Sequence, residues 1–150
     1  MICAFFGHQD TPWDIQPHLE NLLKDLIVHW HATVFYVGHQ GNFDRIVWKT
    51  LENLQQRYPY IQIAIVLAYL PTQRNQHNFS HKNTVYPDGL ENVPPKFAIS
   101  HRNRWMIKQA DTVITYIVHN HGGAAQCKNT AEKQGKHIIN MPDIIKKEQA

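Results

Sequence analysis

The chain has 150 residues, 43% of them hydrophobic and 18% charged, which predicts one domain around one core and excludes a disordered polymer. Its 15 Lys+Arg stand against 12 Asp+Glu with no basic run, so composition gives no case for a nucleic-acid tail and any anionic partner is expected at a local site. Cys3 and Cys127, one near each end, cannot build a disulfide framework and fit a reducing, cytoplasmic location.

The opening residues MICAFFGHQD lack a basic leader, and no apolar run approaches the roughly 18 residues of a membrane span, so a protein neither exported nor embedded is expected. The first predicted strand is ICAFF, from Ile2. Ile15, Leu19, Leu22, Leu23, Leu26, Ile27 and Trp30 then recur at spacings of one, three and four, which predicts a helix with one core-facing stripe. Thr11, Pro12 and Asp14 suit a capped turn before it, with Pro17 restarting the long helix. A second strand, TVFYV from Thr33, leads to a helix from about Asp44 to Arg57 that buries Val47, Leu51 and Leu54. A third strand, IQIAIVLAY, starts at Ile61.

From Pro71 to Pro95 the rhythm breaks into a long loop, with room for a short strand at Thr84 to Tyr86; loops of that length in a compact domain are functional or mobile. A helix from about Phe97 to Gln109, the strand TVITYIV from Thr112, a helix from about Gly123 to Gly135 and the strand HIIN from His137 complete the chain. Strands that read as continuously apolar and alternate with amphipathic helices predict a layered α/β fold with a mostly parallel central sheet.

In such a sheet, ligands bind outside the carboxyl ends of the strands. Three of these junctions are rich in glycine and polar residues: Gly7-His8-Gln9-Asp10, Gly38-His39-Gln40-Gly41-Asn42-Phe43-Asp44 and His121-Gly122-Gly123-Ala124-Ala125. Glycine lets backbone N–H groups approach a ligand, and a helix N-terminus adds about half a positive charge, so phosphate is the natural guest. Strand-to-helix turns also use glycine for backbone geometry alone. Asp44 suits either a helix cap or an acceptor for a ribose hydroxyl. Arg102 and Arg104 are anion-clamp candidates, but at i and i+2 on a helix they diverge, so at most one faces a given pocket; the alternative is a solvated face with ordinary ion pairs. Trp105 and Met106 are expected in the core.

Eleven histidines are the oddity of the composition and would add positive charge as the pH falls toward 6. His29 and His31 diverge on a helix, and His119 and His121 lack a third ligand at a metal-site spacing, so no metal is expected. The chain contains no Gly-x-Ser-x-Gly elbow, Walker loop or CxxC, and Cys127 has only a helix dipole to lower its pKa, so a nucleophilic thiol is not expected either.

Five ordered blocks, FFGHQDTP from Phe5, FYVGHQGNFD from Phe35, VLAYLP from Val66, YPDGLENVPPKFAISHRNRWM from Tyr86 and GGAA from Gly122, resemble the SLOG family. These are Rossmann-like relatives of the LOG phosphoribohydrolases and of the DNA-processing protein of natural transformation. The likeness spans nearly the whole chain, with a bacterial group sharing FFGHxDTP, FYVGxQGxFD and RNxWM as the best match.

The resemblance implies a single Rossmann-like three-layer domain. It further implies a pocket for a nucleotide or nucleotide-derived molecule, ADP-ribose- or cyclic-nucleotide-like, in a sensor or sequestering module without a cofactor. Gly7, Gly38, Gly41, Gly122 and Gly123 would offer backbone contacts, Arg102 and Arg104 the clamp, and Gln40 and Asp44 contacts to sugar or base. His8, Asp10, Asn42, Phe43, Asn103 and Ala124 complete the expected ligand-binding set. LOG relatives are often dimers, so a homo-oligomer is expected.

The LOG branch also suggests an alternative, a nucleoside monophosphate phosphoribohydrolase with Arg102 as its arginine. Here, however, the motif proline is His121, its second glycine pair is followed by Ala125 and Gln126, and its glutamate is Asn129, which cannot act as a general acid or base. Asp44 or Glu91 would have to supply the carboxylate from another loop. A third class, single-stranded nucleic acid binding through Arg102, Arg104 and Lys108, sits poorly with a net charge of +3.

Overall fold

A computed structural model describes residues 1–70 and 83–150. Its elements are β1 (Ile2–Gly7), α1 (Gln16–His29), β2 (Val34–Val37), α2 (Gly41–Arg57), β3 (Gln62–Val66), β4 (Thr84–Val85), α3 (Ala98–Gln109), β5 (Thr112–Tyr116), α4 (Gly123–Lys133), β6 (His137–Asn140) and α5 (Met141–Gln149). The strands form one sheet in the order β4-β3-β2-β1-β5-β6, and every pairing is parallel.

Side chains alternate across β1, and the alternation separates two cores. Cys3 and Phe5 pack with Leu19, Leu23 and Ile27 of α1 and with Ile46 and Leu51 of α2. Ala4 and Phe6 join Met106 and Ile107 of α3 and Cys127 and Ala131 of α4 on the other face. Helices cover the sheet on both sides, which is why β1 and β5 read as unbroken apolar runs. The result is a three-layer, Rossmann-like α/β domain. The chain winds outward from β1 to β4, then returns past β1 to add β5 and β6. Winding therefore reverses between β1 and β5, and their carboxyl ends border the crevice where this fold class seats ligands.

All five predicted strands are present, and Thr84–Val85 forms the short sixth. Four sequence expectations need correction. Trp30 lies beyond the last turn of α1 and is 62% exposed rather than core. Thr11 does not cap a helix; it is buried, and its Oγ1 donates to the His8 carbonyl at 2.6 Å. The Trp13–Ile15 turn that follows is a 3-10 turn without a side-chain cap, and Pro17 stands in the first turn of α1. α2 starts at Gly41, placing Asp44 inside the first turn instead of at its head. α5 was not foreseen, because Pro142 interrupts a short pattern whose apolar anchors, Met141 and Ile145, pack against the first core.

Of the predicted Pro71 to Pro95 loop, residues 71–82 lie outside the described residues. The remainder holds β4 and two 3-10 turns, Leu90–Asn92 and Pro95–Phe97. Among the described residues no helix is long and apolar enough to cross a membrane.

Candidate functional site

A cavity of about 430 Å³ occupies the crevice. The β1 junction lines it with Gly7, His8, Gln9 and Asp10, the β2 junction with Gly38, Gln40 and Asp44, and α3 with Arg102 and Asn103. His119, His121, Gly122, Gly123 and Ala124 line it from the junction between β5 and α4, while Phe5, Phe6, Ile99, Met106 and Cys127 add apolar surface.

The first two junctions interlock. A Cβ added at Gly7 would sit 2.3 Å from Cγ of Phe43, and one at Gly41, where φ is +84°, would sit 2.6 Å from Cα of Gln9. Glycine is obligatory at both positions, since even a methyl group would overlap its neighbour. The Asn42 amide closes the join by donating to the Gln9 carbonyl at 2.8 Å, and Asn42 Nδ2 donates to the Thr11 carbonyl at 3.3 Å.

The end of β5 is held from the other side by Asn140. Its Oδ1 accepts from Thr115 Oγ1 at 2.9 Å and from the Ile117 amide at 3.0 Å, while its Nδ2 donates to the Ile117 carbonyl at 3.0 Å. The Val118 amide donates to His8 Nε2 at 3.0 Å, which assigns His8 the neutral tautomer protonated on Nδ1. Three imidazoles stack across the join: His8 on His119 with centroids 3.8 Å apart, and His119 on His121 at 3.9 Å. Burial, followed by the charge of His119, lowers the His8 pKa from its ordinary 6.5.

The charged centre of the cavity is Arg102, which is 5% exposed. Its Nε and Nη2 donate to Asn103 Oδ1 at 3.1 and 2.9 Å, fixing the guanidinium plane, and among the described residues its buried Nη1 has no hydrogen-bond partner. Asp44 is also buried, with Oδ2 accepting the Gln40 amide at 2.8 Å. A Cβ at Gly38 would lie 2.7 Å from Asp44 Oδ2 and 3.5 Å from Arg102 Nη1, so both charges flank this one glycine. They do not close an ion pair. Burial pushes the Asp44 carboxyl up to about 6, against the opposing pull of the Gln40 amide and Arg102. Burial likewise lowers the Arg102 pKa, and Asp44 draws it back. An arginine N–H buried without an acceptor is costly, and Arg102 brings that charge to the lining of the cavity.

Gly7, His8, Asp10, Gly38, Gln40, Asp44, Arg102, Asn103, Gly122, Gly123 and Ala124 are thus brought to one cavity. Gly41, Asn42, Phe43 and Arg104 are not. Gly41 and Asn42 join α2 to the β1 junction, Phe43 is buried beneath Gly7, and Arg104 points along α3 to Ser100, its Nη1 donating to Ser100 Oγ at 3.0 Å. The divergence expected of i and i+2 on a helix separates the two arginines.

Gln9 and His121, which belong to the glycine junctions but not to the expected binding set, line the cavity as well, and His119 and Cys127 line it without having been expected there. The i, i+2 spacing of His119 and His121 beyond a strand was the available signal for those two. Burial pushes the Cys127 thiol up to about 12, so it is no thiolate nucleophile at neutral pH. His31 lies at the opposite end of the sheet, where its carbonyl accepts from the Met1 amino group at 3.1 Å. Among the described residues no three His, Cys, Asp or Glu side chains gather as a metal site.

Fold and site together define a Rossmann-like α/β domain whose switch-point crevice carries a buried, partly unpaired arginine beside a helix N-terminus. No protein-family model matches the chain, and no curated protein matches it.

Proposed function

We propose that the crevice binds a nucleotide or nucleotide-derived small molecule, ADP-ribose- or cyclic-nucleotide-like, and that the protein serves as a sensor or sequestering module. The unpaired Nη1 of Arg102 carries this reading. Arg102 lines a cavity also bordered by Gly122 and Gly123, where the opening amides of α4 have no helical acceptor, and the two features together suit a phosphate. The volume of about 430 Å³ falls within the range of small-molecule sites. Gln40 and Asp44 would supply polar contacts to sugar or base. The SLOG resemblance points to the same rim and to a homo-oligomer, whose mass light scattering would measure, while the two cysteines fit a cytoplasmic location.

A thermal-shift screen against nucleotides, cyclic nucleotides, NAD and ADP-ribose tests the proposal, because a ligand that binds only the folded state raises Tm. Arg102→Ala should weaken a hit by about 1.5 to 3 kcal/mol while the variant stays folded. Unchanged affinity in the folded variant would remove Arg102 from the site.

One observation favours a second reading, hydrolysis of a nucleotide N-glycosidic bond. Asp44, with its carboxyl near 6, faces the cavity and could exchange a proton with a leaving base at neutral pH. Glu91 and Asn129 do not line this cavity. Chromatography of the incubated ligand decides: intact recovery supports binding, whereas free base plus ribose phosphate, lost in Asp44→Asn, supports the hydrolase.

A further inference from the structure

A second depression, of about 590 Å³, opens between α3 and α4. Ile99, Asn103, Gly123 and Cys127 line both it and the crevice cavity, so the two spaces meet at the first turn of α4. Lys96, Arg104 and Lys133 line this groove, and among the described residues no aspartate or glutamate does. Among the described residues none of the three forms an ion pair. Three uncompensated cations around one concave surface repel one another and concentrate anions.

The arginine here is also oriented. Arg104 Nη1 donates to Ser100 Oγ, a groove residue one turn back, at 3.0 Å, and among the described residues the rest of its fork has no hydrogen-bond partner. The junction between the two spaces is polar at the backbone, because the opening amides of α4 lie there, and Arg102 with its unpaired Nη1 stands on the inner side. Anion-binding groups therefore run from Arg102, past the head of α4, to Arg104 and Lys133.

We propose that the α3–α4 groove is a second phosphate subsite, so that the ligand is a nucleotide carrying two separated phosphates, as in a 5′-phosphorylated dinucleotide. This rests on the binding function proposed above for the crevice. One phosphate sits against Arg102 and the head of α4, and the other sits in the groove against Arg104 and Lys133. A mononucleotide fills the inner cavity alone and leaves the groove cations unmatched.

The test compares the four 5′-ribomononucleotides with their 5′-phosphorylated dinucleotides by calorimetry. The wild type and an Arg104→Gln/Lys133→Gln variant are used, both altered side chains being exposed and outside the inner cavity. The expected result is a dinucleotide at least about tenfold tighter than its mononucleotide, a gain lost in the double variant while mononucleotide affinity is unchanged. Equal affinities in the wild type, or a gain that survives the double substitution, overturn the second subsite and leave the inner site standing. Failure of every mononucleotide and dinucleotide to bind overturns the second subsite, and the crevice reading falls with it only if cyclic nucleotides, NAD and ADP-ribose fail as well. Affinity that keeps climbing with strand length to an octanucleotide, with a steep salt dependence, overturns the small-molecule reading in favour of single-stranded nucleic acid.

Discussion

At the junctions after β1 and β2 glycine is demanded by neighbouring atoms, whereas at the junction entering α4 it is not. Added Cβ atoms at Gly7, Gly38 and Gly41 would meet Phe43, Asp44 and Gln9 at 2.3, 2.7 and 2.6 Å, while among the described residues nothing lies within 4 Å of one at Gly122 or Gly123. Gly122 still has a conformational reason, its φ of +94°, but Gly123 has neither crowding nor a positive φ. Three glycine-rich turns that look alike in sequence thus divide into two that lock strands together and one that leaves room. The open one borders both the crevice and the α3–α4 groove, so the case for a ligand rests more heavily there.

The strongest test of the locked side is Gly7→Ala. Its new methyl must displace the fully buried Phe43 ring or the end of β1, and overpacking of this severity costs about 3 kcal/mol. Chemical denaturation should show that loss without any ligand present. A Gly7→Ala protein as stable as the wild type would mean that the junctions slide freely, and the contrast between the two sides would fail.

How legible this was in the sequence varied with the physics. The strands were readable because helices on both faces make them continuously apolar, as in ICAFF and TVITYIV, and the α1 stripe because its spacing is helical. Trp30 was misread because periodicity continues past the residue where the backbone stops being helical. The carboxyl rim followed from fold class, and the divergence of Arg102 from Arg104 followed from helix geometry. Packing across junctions was not legible: nothing local to Gly7 announces Phe43, and Asn140 clamps Ile117 from 23 positions away. The His8, His119 and His121 stack is likewise long-range, uniting two strand ends that are adjacent only because β1 pairs with β5.

Asp44→Asn gives a smaller effect that sharpens the same comparison, since the locked side holds a buried charge. The folded chain keeps the Asp44 proton up to about pH 6, while the unfolded chain releases it near its ordinary 3.8. Stability therefore falls as the pH rises through that window, and above it the ionised carboxylate is a standing cost. Asparagine keeps an acceptor for the Gln40 amide and carries no charge, so the variant should be more stable by about 2 to 3 kcal/mol at pH 8 and nearly equal to wild type at pH 4. His8 and His39, whose pKa values burial lowers, work in the opposite direction: their contribution is intact above 6.5 and is lost as the pH falls below it. Thermal melts of both proteins from pH 4 to 8 separate the two trends, and a difference that does not grow with pH would show that Asp44 is not charged at a cost.

Gly123→Ala changes least in the fold and is the most telling about the open side. Alanine is the better helix former by about 1 kcal/mol, and space surrounds the position, so the variant should unfold at or slightly above the wild-type temperature. Gly123 lines both the crevice and the groove at the head of α4, so the same methyl should weaken a phosphate bound there by about 1.4 kcal/mol, or tenfold. The two readouts must separate: stability held and affinity lost is the signature of a glycine kept for its guest. Stability lost would make Gly123 a packing glycine like Gly7, and affinity held would move the phosphate away from the head of α4, leaving Arg102 to bind its anion from the other side of the cavity.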